Sequence, residues 1–343
     1  MKEIAFFTRY DKLGASSRLR FMQFIPFLEA AGVKVRLSSF FDDDYLQALY
    51  QGKKRSKSGV LKAYYHRFKA MRDLPSTIPV VIEYELLPYL PFIFEKNFLA
   101  KHPYILNFDD AVDLRYSRLP VLKNKYPQLL SRAAGIITAN DLLTEKFSPY
   151  NSNILKLATI PPEHIHPGRN KENLLTLVWT GTPVTAQFLH ARKNALQMAA
   201  EKTAFRLLIV GGTPGMEIPG VECEIIPWSE ASEADALSRA HAGIMPLPDT
   251  PFARGKSAYK LICYLRAGIP GIASPVGENC RVIRHNENGF LVNSDEEWSE
   301  AVSKISRPDI YRKMSQAALA DAGNYLPAAA AEKLLDFLLN TLS

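Results

Sequence analysis

Short runs of Val, Ile, Leu and Phe alternate with longer, helically spaced stretches from one end of the chain to the other. That alternation commits a chain to βαβ units, because buried parallel strands read as continuous apolar runs and the helices between them cover the sheet faces. The first half predicts strands at Glu3–Thr8, Lys34–Ser38, Val80–Tyr84, Tyr104–Phe108, Gly135–Thr138 and Asn153–Leu157. The second half predicts strands at Leu175–Thr180, Phe205–Val210, Val221–Ile226, Ala242–Met245, Gly271–Ala273 and Gly289–Val292. The class is α/β.

A chain of 343 residues suggests about two domains at roughly 100–200 residues each. The stretch Ile160 to Asn173 carries Pro161, Pro162, Pro167 and Gly168 among polar residues and reads as a linker. We therefore expect Rossmann-like domains at residues 1–165 and 166–327. A last helix in 328–343 has an apolar side that suits either of them. Ligands of open α/β sheets bind beyond the carboxyl ends of the strands, so two such edges facing each other predict a site between the halves.

Composition removes several classes. With 47% hydrophobic and 22% charged residues the chain is neither disordered nor fibrous. Cys223, Cys263 and Cys280 are too few for a disulfide framework or a four-thiolate zinc site, which fits a reducing cytoplasm. The apolar start is too short for a signal peptide, and the stretch near Val80 to Phe94 is broken by Glu83 and Glu85, so an intracellular chain is expected. A net charge of +7 favours anionic partners.

Several segments carry chemistry. In TRYDKLGASSRLR, Gly14, Ser16 and Ser17 precede a helix whose amino end suits a phosphate; a serine there equally serves as an N-cap. Asp42, Asp43 and Asp44 offer carboxylates for Mg²⁺, or simply the acidic start of a helix. Residues 52–72 interleave Lys53, Lys54, Arg55, Lys57, Lys62, Arg67, Lys69 and Arg72 with apolar positions. Leu61, Tyr64, Tyr65, Phe68 and Met71 share one helical face, the pattern of a helix on an anionic membrane or of a core-facing helix. No nucleic-acid signature accompanies this charge, and no nucleic-acid partner is expected. Asp109 and Asp110 end a buried strand with Arg115 near enough to pair, and Glu83 and Glu85 sit two apart, so that Glu85 is a candidate acceptor contact.

In the second half, Gly181, Thr182 and Thr185 form a strand-to-helix turn, and Gly211 and Gly212 let a ligand approach backbone. Trp228 offers a stacking surface for a base, or packs. Arg254, Lys256 and Lys260 place cations beside a helix start, where they would neutralise a diphosphate.

The run from Pro246 to Val292, with K-L-x-x-Y at Lys260–Tyr264, A-G-I-P at Ala267–Pro270, A-S-P-V-G at Ala273–Gly277 and E-N-G-F-L-V at Glu287–Val292, resembles the donor half of retaining GT-B glycosyltransferases of the family-4 type. W-T-G-T-P, V-G-G, P-W-S-E and M-P-L-P fall in the expected order, and the glycine-loop, F-D-D-A and T-A-N segments resemble a bacterial subset. The resemblance implies a GT-B fold with two Rossmann-like domains facing each other. A nucleoside-diphosphate sugar would be held mainly by the second domain, and a glycan or lipid-linked acceptor by the first. It implies retention, no cofactor and no metal, in surface polysaccharide or lipopolysaccharide assembly.

On this reading Arg254, Lys256, Lys260 and Asp110 are the catalytic candidates. Gly14, Ser16, Gly181, Thr182, Gly212, Trp228, Asp249 and Cys263 are donor contacts, and Glu85, Asp109 and Arg115 acceptor contacts. One departure stands out: the family's paired glutamates align with Gly255 and Cys263, and a thiol is a poor acceptor for a ribose hydroxyl. Asp249 is the expected substitute for the sugar contact. A nucleotide-sugar 2-epimerase and a catalytically silent binding relative share the architecture and remain the alternatives.

Overall fold

The computed structural model describes residues 1–53, 56–168, 171 and 173–342. It divides into two compact units: Met1–Ile160 with Gly255–Ser257 and Ala328–Ser343, and Pro161–Arg254 with Ala258–Pro327. The basic-segment residues Lys54 and Arg55 lie outside the described residues.

The first unit is built on β1 (Glu3–Tyr10), β2 (Lys34–Phe41), β3 (Val80–Glu83), β4 (Tyr104–Phe108), β5 (Gly135–Thr138) and β6 (Ile154–Lys156). All are parallel, in the order β2-β1-β3-β4-β5-β6. β1 and β2 run past the predicted Thr8 and Ser38 because their ladder continues to Tyr10 opposite Phe41. Phe40 there meets Phe41 and Tyr64 edge-on at 4.7 and 5.0 Å. β2 is an edge strand, and Arg36 guards it by pairing with Glu3 at 2.8 Å.

Phe108 is fully buried at the end of β4, against Phe147 at 4.7 Å and Tyr126 at 5.7 Å. Truncating such a side chain costs about 3–5 kcal/mol. The last helix, Pro327–Leu342, belongs to this unit: Thr341 accepts from Asn153 at 3.1 Å, and a side chain at Gly135 would meet Phe337 at 2.8 Å.

The second unit holds β7 (Leu175–Thr180), β8 (Phe205–Val210), β9 (Glu222–Ile226), β10 (Ala242–Met245), β11 (Gly271–Ala273) and β12 (Gly289–Leu291), again all parallel. Their order is β12-β11-β10-β7-β8-β9. Each apolar run named from the sequence forms one of these strands. The two buried tryptophans, Trp179 and Trp298, anchor its core. E-N-G-F turns out to be architecture: Asn288 is buried and holds a turn through the Arg284 amide at 2.8 Å and the Val282 carbonyl at 3.0 Å. A side chain at Gly289 would collide with the Gly271 backbone.

Strand order reverses direction between β1 and β3 in the first sheet and between β7 and β10 in the second. Beyond the carboxyl ends of such switch points an open α/β sheet leaves a crevice.

Candidate functional site

At the first switch point, β3 ends at Glu83 because Tyr84 adopts a left-handed backbone, φ 63°. Glu83 is buried, and its carboxylate receives the Arg9 amide at 2.7 Å, Ser16 Oγ at 2.6 Å and Ser17 Oγ at 2.5 Å. Burial pushes this carboxyl up to about 7, against the pull of those three donors. The helix Ala15–Arg20 is N-capped by Gly14, not by either serine, and a side chain at Gly14 would collide with Tyr10. Thus Ser16, expected to face a donor, points instead at a buried carboxylate.

Glu85 does not share Glu83's side as strand periodicity predicts, because the turn at Tyr84 redirects it. It is buried, 3.0 Å from Arg9 Nη1, 2.7 Å from Lys125 Nζ and 2.7 Å from the Tyr116 hydroxyl. Lys125 also meets Glu95 at 2.8 Å and the Leu87 carbonyl at 2.6 Å. Placed this way, Glu85 organises the loop after β3 and offers no exposed acceptor contact.

The two aspartates after β4 diverge, as adjacent side chains at a strand end should. Asp109 accepts from the Tyr84 hydroxyl. Asp110 lies 3.5 Å from Lys256, and burial raises its carboxyl to about 6 although Lys256 opposes the shift. Arg115 is exposed on the turn Val112–Arg115, and its charge also stabilises ionised Asp110. Asn140 of the T-A-N segment explains how Lys256 is held: its Oδ1 caps the helix Asp141–Phe147, while Nδ2 donates to the Gly255 and Lys256 carbonyls at 2.9 and 3.2 Å.

Asp42 caps the helix Asp43–Tyr50 through the Tyr45 amide at 3.1 Å, and Asp43 accepts from Leu13 N at 2.9 Å. That is the helix-start reading of the acidic run. Among the described residues no group of three or more His, Cys, Asp or Glu is placed to hold a metal. The basic segment forms the helix Lys57–Asp73, but its faces differ from expectation. Ala63, Arg67 and Met71 are buried, Tyr64 packs against the core, and Leu61, Tyr65 and Phe68 are exposed. Arg67 is drawn inward because its Nη2 donates to the Thr8 and Ser38 carbonyls at 2.7 and 3.2 Å. Among the described residues no helix is long and apolar enough to cross a membrane.

In the second unit the ends of β7, β8 and β9 converge on backbone. Gly181 N donates to the Val210 carbonyl at 3.0 Å, and Gly211 N to the Ile226 carbonyl at 2.8 Å. Gly211 has φ 78°, and a side chain there would collide with the Gly181 carbonyl and meet Trp228 at 3.4 Å. A side chain at Gly212 would meet Ile209 at 2.8 Å. Thr182 donates its amide to Thr185 Oγ1 at 3.0 Å, closing the turn after β7. Trp228 is half-buried, its ring N–H 3.3 Å from Glu233.

Glu233 is a residue the sequence reading missed. It is buried, and its charge contributes to holding the Cys263 thiol well above its usual range, after burial itself. In S-E-A-S-E it reads as an ordinary first-turn acid behind the Ser229 cap.

The remaining expected contacts are placed less simply. Asp249 and Arg254 form a bidentate pair at 2.5 and 2.8 Å, both well exposed. Lys260 stands over the Trp179 ring, 4.8 Å from its centroid, a cation–π contact. Cys263 is completely buried on the helix Tyr259–Arg266, so its thiol is not presented to a ligand.

The segment from β7 to the helix after β12 decides the comparison. Residues 177–307 match the model of the family Glycosyl transferases group 1. Among curated proteins no sequence match is found. A glycosyltransferase from Rickettsia africae ESF-5 superposes with a TM-score of 0.70 at 12% identity, covering 100% of this chain and 99% of that one. Sucrose-phosphate synthase from Thermosynechococcus elongatus gives 0.71 at 13%, covering 99% of each. Anabaena HepE, in complex with UDP, gives 0.71 at 14%, covering 100% of each. The chain has the GT-B fold. In GT-B terms the glycine turns after β7 and β8 lie within the family-matched segment, and the Glu83 cluster lies before it.

Proposed function

We propose that this chain is a glycosyltransferase that moves a sugar, with retention and without a metal, from a nucleoside-diphosphate donor to a glycan or lipid-linked acceptor in surface polysaccharide assembly. The observation that carries the reading is the coincidence of the family match at residues 177–307 with the backbone turns at Gly181 and Gly211 beside Trp228. Glycines at these turns leave no side chain between a ligand and the backbone, and the half-buried indole suits a base. The HepE complex with UDP supports a uridine nucleotide. The unit built on Met1–Ile160 would hold the acceptor, and the unit built on Pro161–Arg254 and Ala258–Pro327 the donor.

Catalysis would be chiefly electrostatic, since the charge that grows on the departing phosphate needs fixed positive groups. Arg254, Lys256 and Lys260 are assigned that role, with Asp110 holding Lys256 in place. The exposed face of the helix within residues 52–72 would meet anionic lipid at the cytoplasmic side of a membrane. A binding-only relative is favoured by one observation, the buried thiol at Cys263.

A thermal-shift panel of UDP, GDP and their sugars tests the donor assignment, because a ligand of the native state raises the melting temperature by mass action. Release of free nucleoside diphosphate only when acceptor is present establishes transfer. Conversion of the sugar nucleotide into its C2 epimer without acceptor, with no net release of nucleoside diphosphate, favours the epimerase, and tight binding without turnover establishes the silent relative.

A further inference from the structure

We propose that the segments following β3 and β4, the start of the helix Ile93–Leu99 and the turn around Val121, form a docking surface for an anionic lipid bilayer. Ile93 is 62% exposed, Phe94 54% and Val121 75%. Large apolar side chains left together in water mark an interaction surface. Ile93 and Val121 belong to one patch, since they line a common hollow of about 250 Å³ with Pro91, Lys96, Gln128 and Arg132, and Phe94 follows Ile93 in the first turn of the helix Ile93–Leu99. The two loops are also tied rigidly. Tyr89 N donates to the Tyr116 hydroxyl at 2.7 Å, and beneath them Lys125 bridges Glu85 and Glu95.

The charge around the patch selects the occupant. Lys96, Lys101, Arg118, Lys123 and Arg132 are exposed. Glu95 is the only acidic residue in 88–108 and 116–132, and it is buried against Lys125. A two-fold contact with a second copy would set these cations against each other. A soluble polyanion would leave the aliphatic side chains unused. An anionic bilayer satisfies both, taking Ile93, Phe94 and Val121 into the headgroup boundary while the cations meet lipid phosphates.

This deepens the lipid-surface reading of residues 52–72 while resting on different side chains, so the two are separable. The test is co-sedimentation with vesicles of phosphatidylcholine plus phosphatidylglycerol against phosphatidylcholine alone. Wild type should pellet with the anionic vesicles, and Ile93→Ser/Phe94→Ser/Val121→Ser should bind at least about tenfold more weakly at an unchanged melting temperature. If that variant fails to fold, Lys96→Gln/Lys123→Gln should show the same loss. Lys57→Gln/Lys62→Gln/Lys69→Gln probes the helix instead. Retention of binding by folded loop variants overturns the proposal, and loss by the helix variant alone then leaves the helix reading standing. Absence of wild-type binding overturns both, and so does a dimer that the loop substitutions abolish without any vesicle binding.

Discussion

Ser17 and Glu83 share a hydrogen bond of 2.5 Å, while Ser17 Oγ also accepts the Tyr10 amide at 2.9 Å. One hydroxyl therefore joins the end of β1, the start of the glycine-loop helix and a buried carboxyl. The protonation of Glu83 is felt by all three.

The consequence is a pH dependence with a definite sign. The Glu83 carboxyl titrates near 4.5 in the unfolded chain and at about 7 in the fold, raised by burial. Between those values the folded state binds more protons, so stability falls as pH rises through the window and levels off above it. The shift corresponds to roughly 3 kcal/mol. Melting temperature should decline from about pH 5 to about pH 8 in wild type and much less in Glu83→Gln. The slope left in the variant includes the contributions of Asp110 and Glu95, whose carboxyls burial also raises. Equal slopes in both proteins would remove Glu83 from this role.

Gly211 tests the turn proposed to receive a nucleotide. Its left-handed backbone and the Gly181 carbonyl against its Cα leave no room for a methyl group. Gly211→Ala should cost about 1–3 kcal/mol, the usual penalty for a strained non-glycine position, and should abolish the thermal shift given by a nucleotide. Gly215, also left-handed but with nothing around it, is the control: Gly215→Ala should leave the nucleotide shift intact.

The inner strands were legible because buried parallel strands leave continuous apolar runs, and the edge strands β2, β6 and β9, partly exposed and mixed in sequence, followed from the alternation with helices. Side-chain roles were less legible where a single backbone angle decides them. Tyr84 at φ 63° sends Glu83 to Ser16 and Ser17 and Glu85 to Lys125 and Tyr116, with Arg9 between them, which no period-two reading anticipates. Arg67 was read as part of a basic surface, yet the Thr8 and Ser38 carbonyls draw it inward. Long-range partners such as Asn140 with Gly255, or Lys125 with Glu85, follow from the fold and leave no local pattern in the sequence.

Cysteine chemistry separates buried from exposed thiols directly. Burial holds Cys263 well above the usual thiol range, and Cys280 is exposed. Reaction of native protein with iodoacetamide should label Cys280 and leave Cys263 unmodified with or without a nucleotide, because the thiolate is the nucleophile. Labelling of Cys263 at a native-state rate similar to that of Cys280 would show that its helix opens readily.

Lys125 bears on both the fold of the first unit and the proposed lipid surface. Its ammonium is fully buried between Glu85 and Glu95, at 2.7 and 2.8 Å. Glu85 keeps Arg9 as a second cation at 3.0 Å, whereas Glu95 also accepts from the Leu87 amide and feels the Arg67 charge without an ion pair to it, and burial already raises its carboxyl. Lys125→Met should therefore cost about 3–5 kcal/mol in urea denaturation, mostly through the stranded charge on Glu95. Adding Glu95→Gln removes that charge and should recover about 1–3 kcal/mol, a coupling that independent sites do not show. Strictly additive losses would mean that the pair stabilises the loops by packing alone. In that case the positions of Ile93 and Val121 would rest on the packing of their segments and not on the ion bridge beneath.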